Sequence, residues 1–165
     1  MRVRDAMPED AEAIAAVHVR TWQGAYSHIF PTDRLAGISV DARAQFWRRL
    51  LTDPPPRTYQ LVAEDEAGTS RLRGRRTGRG EALAEVYAIY VLPEAWGLGH
   101  GRALIAGLLD RLRRAGFREA ILWVFADNPR TRRFYEQGDW RLDGEPVEQT
   151  HLDTSVSVVS YRIAL

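Results

Sequence analysis

The chain has 165 residues, no cysteine, and 23 basic against 22 acidic side chains, for a formal net charge of +1. The lack of cysteine excludes disulfides and thiolate metal sites and fits a reducing cytoplasm. The balanced charge argues against a nucleic-acid binder acting through bulk electrostatics.

The length suits one domain over 1–165, with a core large enough to stand without staples. The opening MRVRDAMPEDAEA has no apolar signal core, and no apolar run approaches the ~18 residues of a membrane helix. A soluble, cytoplasmic protein with no membrane contact is expected. Residues 2–5 read as a short strand. Pro8-Glu9-Asp10 opens a helix, its acidic residues placed where the helix dipole favours them, and Ile14, Val17, Thr21 and Ala25 give it a buried stripe to about Tyr26. Ile29-Phe30-Pro31 breaks it. A second helix is predicted over Val40 to Leu51, with Ala44, Trp47 and Leu51 on one face, until Pro54-Pro55-Pro56 stops it. Tyr59 to Ala63 is a strand. Gly68 to Gly80, GTSRLRGRRTGRG, has only Leu72 as an apolar residue and reads as a solvated loop or a poor edge strand.

Ala84 to Leu92, AEVYAIYVL, is the strongest strand, rich in β-branched and aromatic residues. Arg102 to Ala115 is a helix with Leu104, Ile105, Leu108, Leu109 and Leu112 on its apolar face, and Gly116 sits where a left-handed cap belongs. Ala120 to Phe125 is a buried strand. Asn128-Pro129 reads as the N-cap and first residue of a short helix to about Gln137. Strands near Trp140–Leu142 and Ser155–Ile163 close the chain.

Between the strong strand and its helix lies Trp96-Gly97-Leu98-Gly99-His100-Gly101. Strand, glycine turn, helix and strand make a crossover unit with a parallel strand pair. A helix start presents unpaired N–H groups and partial positive charge, so these glycines suit an anion, or else they permit close packing. A P-loop is excluded because no Lys follows, and the dinucleotide fingerprint fails because Arg102 and Leu104 stand at its third glycine position in the two possible registers.

Three separated segments, YVLPEAWGLGHGRAL, ILWVF and NPRTRRFYEQGDW, together resemble the acyl-CoA-binding half of the GNAT superfamily of N-acetyltransferases. The N-terminal AVHVRTWQGAY…FP resembles a bacterial branch of small-molecule acetyltransferases. The family's loop is Q/R-x-x-G-x-G/A, and Trp96, Gly99 and Gly101 stand at its defining positions. The resemblance implies an α/β fold with a twisted, mostly antiparallel mixed sheet and helices on both faces. It also implies an acceptor-side half over 1–58 and an acetyl-CoA-binding half over 82–140. The cosubstrate would be acetyl-CoA, the partner a small amine, with no metal; many relatives dimerise.

Carried onto this sequence, the resemblance has the main chain of Ile89 and Val91 pair with the pantetheine arm, and the N–H groups of Leu98, Gly99, His100, Gly101, Arg102 and Ala103 hold the pyrophosphate. Asn128 would bond near the thiol end, or be only an N-cap. Tyr135 would lie beside the sulfur and protonate the leaving thiolate; because it adjoins Phe134, the two are not expected to share one helix face. Glu85, taken to share a strand face with Tyr87, Ile89 and Val91, is the candidate base, and His18 is an alternative. Trp22, Tyr26 and His28 either line an acceptor pocket or only pack. Arg102, Arg130, Arg132 and Arg133 are the candidate cations for the cofactor's phosphates. Without cysteine, direct attack by the amine is favoured over an acyl-enzyme. Two rivals remain: a non-catalytic acyl-CoA sensor, and a nucleic-acid module using the arginine-rich loop.

Two departures stand out. The turn after Tyr135-Glu136-Gln137 carries Gly138 one place early and Asp139 where the family has Gly, a residue that tolerates the left-handed conformation. Ser70 to Gly78 also lacks the family's apolar G-F-A-x-x-G-P strand. GC-rich codons for SRLRGRRTG, read one base later, give RGFAAVGP, so a local frameshift is one reading, which resequencing the gene tests. The sequence as it stands predicts a damaged or absent third strand.

Overall fold

The computed structural model describes residues 1–65, 68–76 and 82–165, with backbone alone at 65 and 68–76. The strands are β1 (Arg2–Asp5), β2 (Thr58–Asp65), β3 (Gly68–Arg76), β4 (Leu83–Tyr90), β5 (Glu119–Phe125), β6 (Arg141–Leu142), β7 (Val147–His151) and β8 (Thr154–Ala164). The helices are α1 (Ala11–Ala25), α2 (Thr32–Ala36), α3 (Val40–Thr52), α4 (His100–Arg114) and α5 (Pro129–Glu136). The sheet runs β1-β2-β3-β4-β5-β8-β6, with β7 also on β8, and among the described residues only the β4–β5 pair is parallel. That pair is joined through α4, the crossover read from the glycine turn.

One face of the sheet carries Leu61, Ala84, Val86, Leu122, Val124 and Tyr161 against the leucine stripe of α4 and against Tyr135 of α5. On the other face, Val62 packs on Ile14 and Ala15 of α1 and Trp47 of α3. Farther along that second face, Val156 and Val158 meet Val19, Phe30 and Leu35. Helices on both faces of a mostly antiparallel sheet are the architecture expected.

The described part of the arginine-rich segment is neither a loop nor an edge. Over Gly68–Arg76, β3 pairs with β2 on one side and β4 on the other, so the expectation of a damaged third strand is not met where the backbone is described. Ladder bonds come from the main chain and tolerate side chains that composition would assign to solvent. Residues 77–80 of the predicted loop lie outside the described residues. The β3–β4 register shifts between Arg73 and Gly74, which pair with Ala88 and Val86, leaving Tyr87 as the extra residue of a β-bulge. Two elements were not anticipated: α2, and the β7 strand that forms a hairpin with β8.

Candidate active site

The β4–β5 ladder covers only Leu83–Val86 against Glu119–Leu122. Beyond it, β5 continues to pair with β8 through Phe125, whereas β4 continues to pair with β3 through Tyr90. The sheet is therefore forked, and among the described residues no strand lies beside Tyr87–Tyr90 on the β5 side. An open strand edge deep in a sheet offers main-chain bonds to an extended ligand.

At the wide end of the fork stands the glycine turn. Gly97 and Gly99 have φ of +83° and +93°, and a Cβ at either would meet no closer atom than Met1 Cε, 4.0 Å from the Gly99 position. Their lack of side chains serves backbone conformation and an open approach. Gly101 is different: a Cβ there would lie 3.1 Å from Phe134 Cζ, so this glycine lets α5 pack on α4. The packing reading thus holds for Gly101, while Gly97 and Gly99 leave the surface of the turn open.

The N–H donors are fewer than the sequence suggested. Ala103 N–H closes onto Gly99 O at 3.0 Å, and Leu98 N–H points to Ala95 O at 3.4 Å. No described backbone carbonyl takes the N–H groups of Gly99, Gly101 or Arg102, the orphan donors of a helix start. His100 is fully buried, main chain included. The carbonyl of Val91 is also committed, to Thr21 Oγ1 at 3.1 Å and Trp96 Nε1 at 2.7 Å, leaving only its N–H for a ligand.

Trp96 has a second task. The Arg130 guanidinium, from the first turn of α5, lies 3.8 Å from its ring centroid, which fixes a cation across the mouth of the fork. Arg132 instead turns inward to Tyr161 Oη at 3.1 Å and Ala126 O at 3.4 Å, so it is not available for phosphate. Arg102 and Arg133 are exposed.

The bulge at Tyr87 corrects the expected strand face. Ala84 and Val86 face α4, and so does Ile89, whereas Tyr90 faces α1. One inserted residue reverses the alternation, so Glu85 lies on the α1 side and does not share a face with Ile89. Glu85 pairs in register with Ile121, one step before the ladder ends at Val86 and Leu122.

Tyr135 lies on the opposite face. Its ring is 6.3 Å from that of Tyr161, whose register partner is Leu122 at the vertex of the fork. Phe134 and Tyr135 both turn inward, their centroids 5.0 Å apart, against the expectation that neighbours would diverge. Burial pushes the Tyr135 phenol well above its usual value, and the nearby Tyr26 phenol adds to the shift. The turn after α5 survives, with Asp139 at φ +65° and Trp140 N–H bonded to Tyr135 O at 3.2 Å. Asn128 caps α5, its Oδ1 accepting from Thr131 N–H at 3.1 Å, which leaves only the amide NH₂ for a ligand.

His18 is 5% exposed and stacks on Tyr90 at 4.2 Å, the surroundings of a core residue and not those of a base. Trp22 and Tyr26 pack around Phe125 and Phe30, and His28 Nε2 bonds Asp127 O at 2.7 Å.

An open strand edge running from a cationic helix start to a vertex flanked by a carboxylate and a buried phenol suits a long, thin, anionic ligand with a reactive end. A coenzyme A thioester has that shape. The sequence profile of the acetyltransferase (GNAT) family matches residues 12–138. The N-acetyltransferase YuaI of Bacillus subtilis is 34% identical over 135 residues, covering 77% of this chain and 73% of YuaI. Mycothiol acetyltransferase of Kocuria rhizophila is 45% identical over 98 residues, 53% of this chain and 32% of that protein, so the match spans about a third of that relative's length. Among solved structures, the PaiA N-acetyltransferase of Thermoplasma acidophilum in complex with coenzyme A superposes with a TM-score of 0.76 at 17% identity over 96% of each chain, a likeness of fold. The chain belongs to the GNAT superfamily of N-acetyltransferases and is an acetyl-transferring enzyme. Among the described residues no helix is long and apolar enough to cross a membrane.

Proposed function

We propose that the protein moves the acetyl group of acetyl-CoA directly to a primary amine. The observation that carries this reading is the forked sheet with proton-handling groups on its two faces: Glu85 on one and Tyr135 on the other. An alkylammonium has a pKa near 10.4 and cannot attack until it is deprotonated. Glu85 takes that proton, directly or through a water. Acetyl-CoA, when bound, supplies the thioester whose C–S bond breaks as the C–N bond forms. The Tyr135 hydroxyl protonates the departing sulfur, and its raised pKa keeps it a neutral donor at working pH. Ile89, the N–H of Val91 and the amide NH₂ of Asn128 hold the pantetheine arm, while Gly99, Gly101 and Arg102 present the helix start to the pyrophosphate. Intact-protein mass after mixing with acetyl-CoA alone tests direct attack. The protein should stay unmodified, and a stoichiometric acetyl adduct competent to acetylate an added amine would contradict it.

Arg130, held by Trp96, supplies the charge for a phosphate. Arg130→Ala should weaken CoA about tenfold, the lower end for a charged hydrogen bond, and leave pantetheine binding unaffected. A greater loss for CoA than for dephospho-CoA assigns the 3′-phosphate, and an equal loss assigns the pyrophosphate. Unchanged calorimetric affinity for both ligands contradicts the role.

The buried phenols also set an alkaline limit. Tyr26 and Tyr135 hold their protons in the native state at pH values where the unfolded chain releases them, so stability falls as pH rises above about 10. Denaturant midpoints should decline from about pH 9.5 upward, and less steeply in Tyr135→Phe. Parallel curves for variant and parent would place that phenol's titration in the ordinary range.

The cysteine-free composition supports a cytoplasmic setting. The family resemblance supports a homodimer, which a single species of monomer mass in sedimentation velocity would exclude.

A further inference from the structure

Two phenols stand at the gap between the arms of the fork, one on each face of the sheet. Tyr135 is buried on the α4 face. Tyr26, the residue after α1, packs on the α1 face with Phe30 and Phe125. Its ring meets Phe125, the last residue of β5, edge-on at 4.9 Å between centroids. The chain just beyond it is tied to the turn after β5, where His28 Nε2 bonds Asp127 O at 2.7 Å, one residue before Asn128. Tyr90, the last residue of β4, is near enough that its phenol raises the Tyr26 pKa beyond what burial does, and Tyr26 acts in the same way on Tyr135. Phe125 and Tyr90 end the two arms, and among the described residues no strand lies between them, so the sheet does not separate one phenol from the other.

A buried phenol that serves the fold is normally hydrogen-bonded, as Tyr161 is to Glu136 and Arg132. Among the described residues the Tyr26 hydroxyl has no such partner. We propose that this hydroxyl receives the acceptor amine, accepting one of its N–H groups and directing the nitrogen lone pair at the thioester. The inference rests on the acetyl-transfer reading above and adds a substrate-binding residue to that site. Tyr26 is assigned to the amine and not to the sulfur because it shares the α1 face with Glu85, whereas Tyr135 meets the leaving group from the other face. Burial and the neighbouring phenol keep Tyr26 neutral at working pH. A neutral phenol oxygen accepts a hydrogen bond without taking the proton that must pass to the base.

The test follows acetylation of 2-phenylethylamine, butylamine and putrescine by the full chain and by its Tyr26→Phe variant, with calorimetric CoA affinity and melting temperature measured alongside. Tyr26→Phe keeps the ring and removes a hydroxyl that bonds nothing in the fold, so the melting temperature should hold or rise. KM for each amine the parent accepts should rise about tenfold, the upper end for one neutral hydrogen bond, with kcat near the parent's and CoA affinity within about twofold. Saturating amine should therefore restore most of the turnover in Tyr26→Phe and none of it in Tyr135→Phe. A lower melting temperature with a loss of activity that saturating amine does not restore would make the hydroxyl structural and overturn the inference. Weakened CoA binding, or a KM for every amine within about twofold of the parent's, would overturn it too, while acetyl transfer stands. Failure of the parent to acetylate any primary amine overturns both readings.

Discussion

Tyr135→Phe is expected to lower the rate of acetyl transfer by roughly 10²–10⁴-fold, the range for a positioned general acid. The substitution removes one hydroxyl and keeps the ring, whose neighbours Trp140 and Tyr161 lie at 5.6 and 6.3 Å. Packing should survive, and the melting temperature should change little. Affinity for CoA should shift by at most about tenfold, since one neutral hydrogen bond contributes about 0.5–1.5 kcal/mol. Tyr161 is the natural control. Its hydroxyl donates to Glu136 Oε1 at 2.7 Å and accepts from Arg132 Nε at 3.1 Å, linking α5 to β8. Tyr161→Phe breaks that link, so it should lower stability and leave the acid step in place. Turnover by Tyr135→Phe within about threefold of the parent would remove Tyr135 from the chemistry.

Gly99→Val is expected to weaken CoA by roughly 10²-fold or more. At φ +93° a β-branched residue is strained whatever space surrounds it, at a cost of about 1–3 kcal/mol that is relieved by moving the turn. Moving the turn disperses the orphan N–H groups of Gly101 and Arg102, which are useful to an anion only when aimed together. The fold should persist, because a Cβ at Gly99 meets nothing nearer than 4.0 Å. Gly101→Val is a less informative variant. Its side chain would press on Phe134 and disturb α4–α5 packing as well as binding. Unchanged calorimetric affinity in Gly99→Val would contradict the anion site.

The crossover that builds the site was legible because its signals are local. The β4 run, the positive-φ glycines, the α4 leucine stripe and the Asn128-Pro129 cap each depend on neighbours within a few positions. What escaped depends on partners far along the chain. The bulge at Tyr87 is a mismatch with β3, so period-2 counting put Glu85 and Ile89 on one face. β3 looked like a loop because its side chains are charged, although pairing on both edges comes from backbone. The Val91 carbonyl is taken by Thr21, seventy positions earlier, and by Trp96, a residue whose departure from Gln or Arg carried no hint of that bond or of its stack on Arg130. Asp139 is the intermediate case: its tolerance for positive φ was readable, and the turn uses it.

Acetyl transfer through a forked sheet is tested most directly by following thiol release from acetyl-CoA together with formation of the acetylated amine, using primary amines over a range of pH. Thiol and N-acetyl product should appear in equal amounts, at a rate that needs the amine and falls as the pH drops and the amine takes up a proton. Thiol release that is independent of amine, or tight CoA binding with no product from any primary amine, would contradict it.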